Sequence, residues 1–172
     1  MAAKEKEKVE VEVEEIEVSE KERLEEANNF IRRRMFWAAG AGLIPIPLFD
    51  LMALTGLQID MIRVLADDYG VPYKREAVKG IVSALVGSVV PVGLAAPVGS
   101  FLKAIPIVGT SLGVLSMSIL GGASTYAVGK VFISHFEAGG TLLDFDVEAM
   151  NSYFMEKFTE GKQIVKDMKA KS

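Results

Sequence analysis

The sequence predicts an all-α fold: a helical membrane protein with a glycine-rich transmembrane or re-entrant hairpin flanked by amphipathic helices. Half of the residues are apolar although 24% are charged, so the charge must be segregated along the chain. Between Gly80 and Gly129, fifty residues carry a single charge, Lys103. From Ser19 onward, apolar positions outside that stretch recur at helical spacing.

At 172 residues the chain has room for about one domain. The expected division is an acidic, disordered arm over residues 1–26 and a single helical membrane-associated domain over 27–172. That domain would hold the apolar hairpin, 80–129, and a C-terminal amphipathic helix, 146–169. The arm has eleven Glu against five Lys or Arg, a local charge of −6, so the net charge of −4 describes the arm and not the rest. Basic clusters elsewhere are too short to argue for nucleic acid. With no Cys, disulfides and thiolate metal sites are excluded.

Val9 to Val18 alternate with Glu at period two. A lone strand has nothing to pair with, so a solvated acidic tail is one reading and a segment that adds to a partner's sheet is the other. Ser19 is placed to cap a helix, with Glu22 at capping-box spacing. That helix runs through Leu24, Ala27 and Phe30 into Arg32, Arg33 and Arg34. The arginines meet Met35-Phe36-Trp37, a boundary at which cations and an indole would sit among lipid headgroups. A basic turn of a water-exposed helix is the plainer alternative.

Met35 to Phe49 is uncharged but too short to cross a bilayer, which takes about twenty residues. Pro45 and Pro47 break it, so one helix ends near Leu43 and another begins near Leu48. The second carries Leu51, Leu54, Met61, Ile62 and Leu65 at helical spacing and closes at Gly70, ahead of Pro72. A basic patch follows, Lys74, Arg75 and Lys79.

Gly80 to Leu102 could extend about 34 Å at 1.5 Å per residue, enough to span, although Pro91 and Pro97 would kink it or make it re-entrant. Ala104 to Gly129 is the cleaner transmembrane candidate. Gly109 and Gly113 form a GxxxG, and Gly121 and Gly122 follow, small residues that let helix backbones approach closely. The chain then turns at Gly139-Gly140 and starts a last helix after Asp144 or Asp146. Its stripe is Val147, Met150, Phe154 and Phe158, and its Lys-rich end, Lys162 to Lys171, is expected to fray.

Catalytic, cofactor and metal residues are not indicated. Gly129-Lys130 lacks the upstream Gly and the following hydroxyl residue of a phosphate-binding loop, so no directly bound nucleotide is expected. His135 is the only histidine, and nothing marks a nucleophile for it. Asp50, just past the Pro-x-Pro corner, suits either a helix N-terminus or a membrane-embedded ion group.

Phe36 to Pro72, Leu102 to Leu120 with Lys-Ala-Ile-Pro-Ile-Val-Gly-Thr, and Tyr126 to Phe145 with His-Phe-Glu-Ala-Gly-Gly-Thr-Leu-Leu-Asp-Phe resemble a known family. It is the YcjF-like, GTPase-associated family of uncharacterised bacterial membrane proteins. The resemblance implies a GTPase encoded separately as partner, and it supplies no catalytic residues. The expected function is a non-enzymatic, membrane-anchored interaction or scaffold module in an inner or intracellular membrane. It would associate with the lipid bilayer and with copies of itself, both termini in the cytoplasm, as the distribution of basic residues suggests. An oligomeric pore with Asp50 as its polar element, or a soluble helical domain whose glycines are core, are the alternatives.

Overall fold

A computed structural model describes residues 2–41, 47–89 and 110–170, and every regular element among them is a helix. In order these are α1 (Ala2–Ala41), α2 (Pro47–Asp68), α3 (Arg75–Gly87), α4 (Thr110–Glu137) and α5 (Val147–Ala170).

α4 is the central element. It packs most extensively against α1 and α5, and also against α2. The register along α1 is fixed by Arg23 beside Glu137, Asn28 beside Lys130 and Ala39 beside Ser118, so the two helices are antiparallel. α2 runs parallel to α4, with Gln58 at Ser124 and Thr125 and Tyr69 at Glu137. α5 is antiparallel again, with Tyr126 at Glu160 and Val165 at Gly122.

This arrangement corrects the transmembrane hairpin. Residues 121–129 are buried without exception, and they are buried by protein: α1, α2 and α5 surround them. A helix apolar on every face must be enclosed, and an enclosing shell of helices satisfies that as well as lipid does. Among the described residues no helix is long and apolar enough to cross a membrane. The other arm of the expected hairpin begins as α3, which buries Val78, Ile81, Val82 and Leu85 and lies mainly against α2. The hairpin tip, including Lys103 and Gly109, lies outside the described residues.

A second correction concerns the acidic segment, which the sequence alone presents as disordered or as a strand. α1 is continuous from Ala2 and includes it. At helical spacing Val13 and Ile16 continue the stripe Leu24, Ala27, Ile31 and Met35, and Glu and Lys are strong helix formers. On the N-terminal side of Arg23 no helix among the described residues lies opposite, and Val13, Ile16 and Val18 are all about half exposed.

Local chemistry sets the other boundaries. α2 ends where Gly70 takes a φ of 65°, with Val71 N donating to Ala66 O and Gly70 N to Asp67 O, which satisfies carbonyls the helix would leave open. α5 begins at Asp146, whose carboxylate accepts the amides of Glu148 and Ala149 at 2.9 and 3.0 Å. It continues to Ala170, so the Lys-rich end is helical and does not fray.

Candidate membrane-facing site

The bundle has two unlike ends. At one, Arg23, Tyr69 and Glu137 form a polar cluster: the Tyr69 hydroxyl donates to Glu137, and the Arg23 guanidinium lies 4.8 Å from the Tyr69 ring centre. At the other end lie Ala41, Pro47 and Thr110, the described limits of α1, α2 and α4. Residues 42–46, between Ala41 and Pro47, carry no charge, and residues 90–109, which lead from α3 to Thr110, carry one, Lys103.

α1 approaches this end with a graded surface. Ile31, Met35, Ala38 and Ala39 turn into the core. The opposite face carries Arg32 and Arg33 and then, one turn on, Phe36 and Trp37. Trp37 is 73% exposed and Phe36 43%. Along α1, cations therefore precede aromatics, and no charge follows them before Asp50 of α2, the order found where a helix meets a headgroup layer.

The three arginines are not equivalent. Arg34 is clasped to Asp60 of α2 at 2.8 Å, and its guanidinium lies 5.0 Å from the Phe30 ring centre. Arg32 and Arg33 are exposed and form no ion pair among the described residues. A groove of about 360 Å³ runs between α1 and α2, lined by Phe30, Arg33, Arg34, Trp37 and Leu57. A larger crevice, about 560 Å³, opens at the far end of α2 beside Asp60, Arg63, Asp67 and Tyr73. Among the described residues no group of His, Asp and Glu could hold a metal ion.

The small residues sit inside the bundle. Gly121 faces the Ala38 carbonyl and Leu54, and Gly122 lies between Val165 of α5 and Ala39 and Met35 of α1. These contacts are all within one chain, so Gly121 and Gly122 leave no free face for another copy. Gly113 falls in the first turns of α4, and Gly109 lies outside the described residues. Asp50 is the fourth residue of α2, where the helix dipole favours a carboxylate.

Two features escape the sequence reading. Lys162 and Lys166 flank Val165 at the height of Met35 and Ala39, with Lys162 5.6 Å from the Phe158 ring centre. Their spacing of four on one helix was the available signal. Gln58 is 1% exposed and donates to Ser124 and Thr125, both at 3.2 Å. Its place between Leu54 and Met61 on the apolar stripe marks it as a core position.

A family model described as a domain of unknown function, DUF697, matches residues 7–162. Magnetosome membrane protein 22 of Magnetospirillum gryphiswaldense (strain DSM 6361 / JCM 21280 / NBRC 15271 / MSR-1) is 36% identical over 146 residues, covering 84% of this chain and 75% of that protein. No solved structure matches the chain. On the extent of both matches, the chain belongs to the DUF697 family.

Proposed function

We propose that the chain is a non-enzymatic, membrane-associated module that seats the Trp37 end of its bundle against a lipid bilayer and leaves the acidic end of α1 in water. The carrying observation is Trp37, an indole 73% exposed one turn beyond two free arginines, on a helix with no further charge up to its described limit at Ala41. Trp prefers the membrane interface because its ring is apolar and its N–H still needs a partner. The name of the relative, a magnetosome membrane protein, supports the same reading. The resemblance to GTPase-associated proteins adds a GTPase as an aqueous partner, and the overhang of α1 is the element left for it.

Trp37 is the only tryptophan, so its fluorescence reports on this site alone. Adding phospholipid vesicles to the full chain should shift its emission to the blue, and lipids brominated near the headgroup should quench it. An emission unchanged by any vesicle would overturn the reading.

A further inference from the structure

Resting on that membrane reading, we propose that the cations around this end of the bundle, Arg32 and Arg33 of α1 with Lys162 and Lys166 of α5, form a collar that binds anionic phospholipid headgroups.

Arg34 is spent on Asp60, whereas Arg32 and Arg33 are exposed without an ion pair among the described residues. Each precedes an exposed aromatic by four residues, Arg32 before Phe36 and Arg33 before Trp37. One helical turn is about 5.4 Å. With Trp37 at the level of the lipid glycerols, the guanidinium of Arg33 therefore stands one turn farther out, among the phosphates. Arginine suits that place because its planar fork gives two parallel hydrogen bonds to one phosphate.

The band extends to α5. Gly122 touches Val165 on one side and Ala39 and Met35 on the other, which puts Lys162 near the height of Arg34 and Lys166 about one turn farther along, level with Trp37. Nearby acids have partners of their own: Asp60 pairs with Arg34, Glu160 with Lys157 and Tyr126, and Asp167 accepts from the Gln163 amide at 2.7 Å. A net-neutral surface offers this band no field. An anionic one attracts each basic side chain, worth about fivefold in affinity per cation. A polyanion in water, such as RNA, would use the same charges but offers no apolar layer for the exposed Phe36 and Trp37.

Flotation of the full chain tests the assignment, with vesicles of phosphatidylcholine alone and with about 30% phosphatidylglycerol, at about 0.1 M salt. The mixed vesicles should bind more tightly by well over about 25-fold, the share of the two arginines alone. The double variant Arg32→Gln, Arg33→Gln should lose about 25-fold on mixed vesicles and be unchanged on phosphatidylcholine, whereas Trp37→Ala should weaken both. Both arginines are exposed, so the thermal melt of the double variant should match the native protein. For the native chain alone, added salt should lower binding to mixed vesicles only. Equal binding to the two vesicles, or a double variant that binds mixed vesicles normally, overturns the lipid assignment and leaves the anchoring reading standing. So would RNA binding as tight as vesicle binding and indifferent to Trp37→Ala. Binding to neither vesicle overturns the anchoring reading itself.

Discussion

Ile31 of α1 stands directly over Gly129 of α4: a Cβ at 129 would fall 2.6 Å from Ile31 Cγ2 and 2.9 Å from its Cβ. Ile is branched at the very atom in the way, so no rotamer relieves the clash, and the two helices must separate. Gly129→Ala should therefore cost about 1–3 kcal/mol of stability, the usual range for overpacking. Gly56 is the control. It is exposed within α2 with nothing within 4 Å of a Cβ. Gly56→Ala should stabilise by about 0.5–1 kcal/mol, since it removes backbone freedom only from the unfolded chain. Urea unfolding of the two variants should give opposite signs.

Gln58 joins α2 to α4 through two hydroxyls at a buried point of their interface. Gln58→Leu keeps roughly the same volume and removes both bonds. It should cost about 1–3 kcal/mol, the range for leaving buried polar groups unpaired. Stability equal to the native protein would mean that the hydroxyls find other partners, Ser124 already lying 3.2 Å from the Gly121 carbonyl.

The Arg34–Asp60 clasp is short, at 2.8 Å, but its side chains are 27% and 50% exposed. Solvent screens a pair of that kind, so a double-mutant cycle of Arg34→Gln and Asp60→Asn should give a coupling of about 0.2–1 kcal/mol. The coupling should shrink in high salt.

Tyr126 donates to Glu160 at 2.6 Å. Burial first, and then the Glu160 hydrogen bond and charge, push the phenol up to about 12 from an ordinary value of 10.0. The folded state thus keeps a proton that the unfolded chain has lost in this window. The stability tied to it is complete below pH 10 and disappears as the pH rises toward about 12. Tyr126→Phe should be less stable than the native chain by about 1–2 kcal/mol near neutrality. The gap should hold to pH 10 and close above it, as read by urea unfolding across the alkaline range.

What the sequence made legible was chemistry that acts over a few residues. Gly70 ahead of Pro72 stops a helix and Asp146 starts one, each within a turn or two. The environment of α4 was not legible. Residues 121–129 read the same whether lipid or three other helices surround them, because burial selects for apolar side chains without recording what covers them. The alternation of Val9 to Val18 fits two periods at once, and only the stripe beyond Leu24 decides between them. Within the collar, the difference between Arg34 and its two neighbours depends on Asp60, which comes from another helix.

α1 is also a rod with opposite charges at its two ends. Its acidic residues gather toward the N-terminus and its arginines lie in the last third, so side-chain charge offsets the backbone dipole at each end. The part before Arg23, about 30 Å at 1.5 Å per residue, extends past the last turn of α4. Near an anionic surface the two ends feel opposing forces, which exert a torque on the whole molecule. It would be turned collar-first before contact, so the benefit falls on the rate of capture more than on the lifetime of the bound state. Once docked, the acidic tip stands roughly three Debye lengths away at about 0.1 M salt, beyond the reach of the field that would repel it.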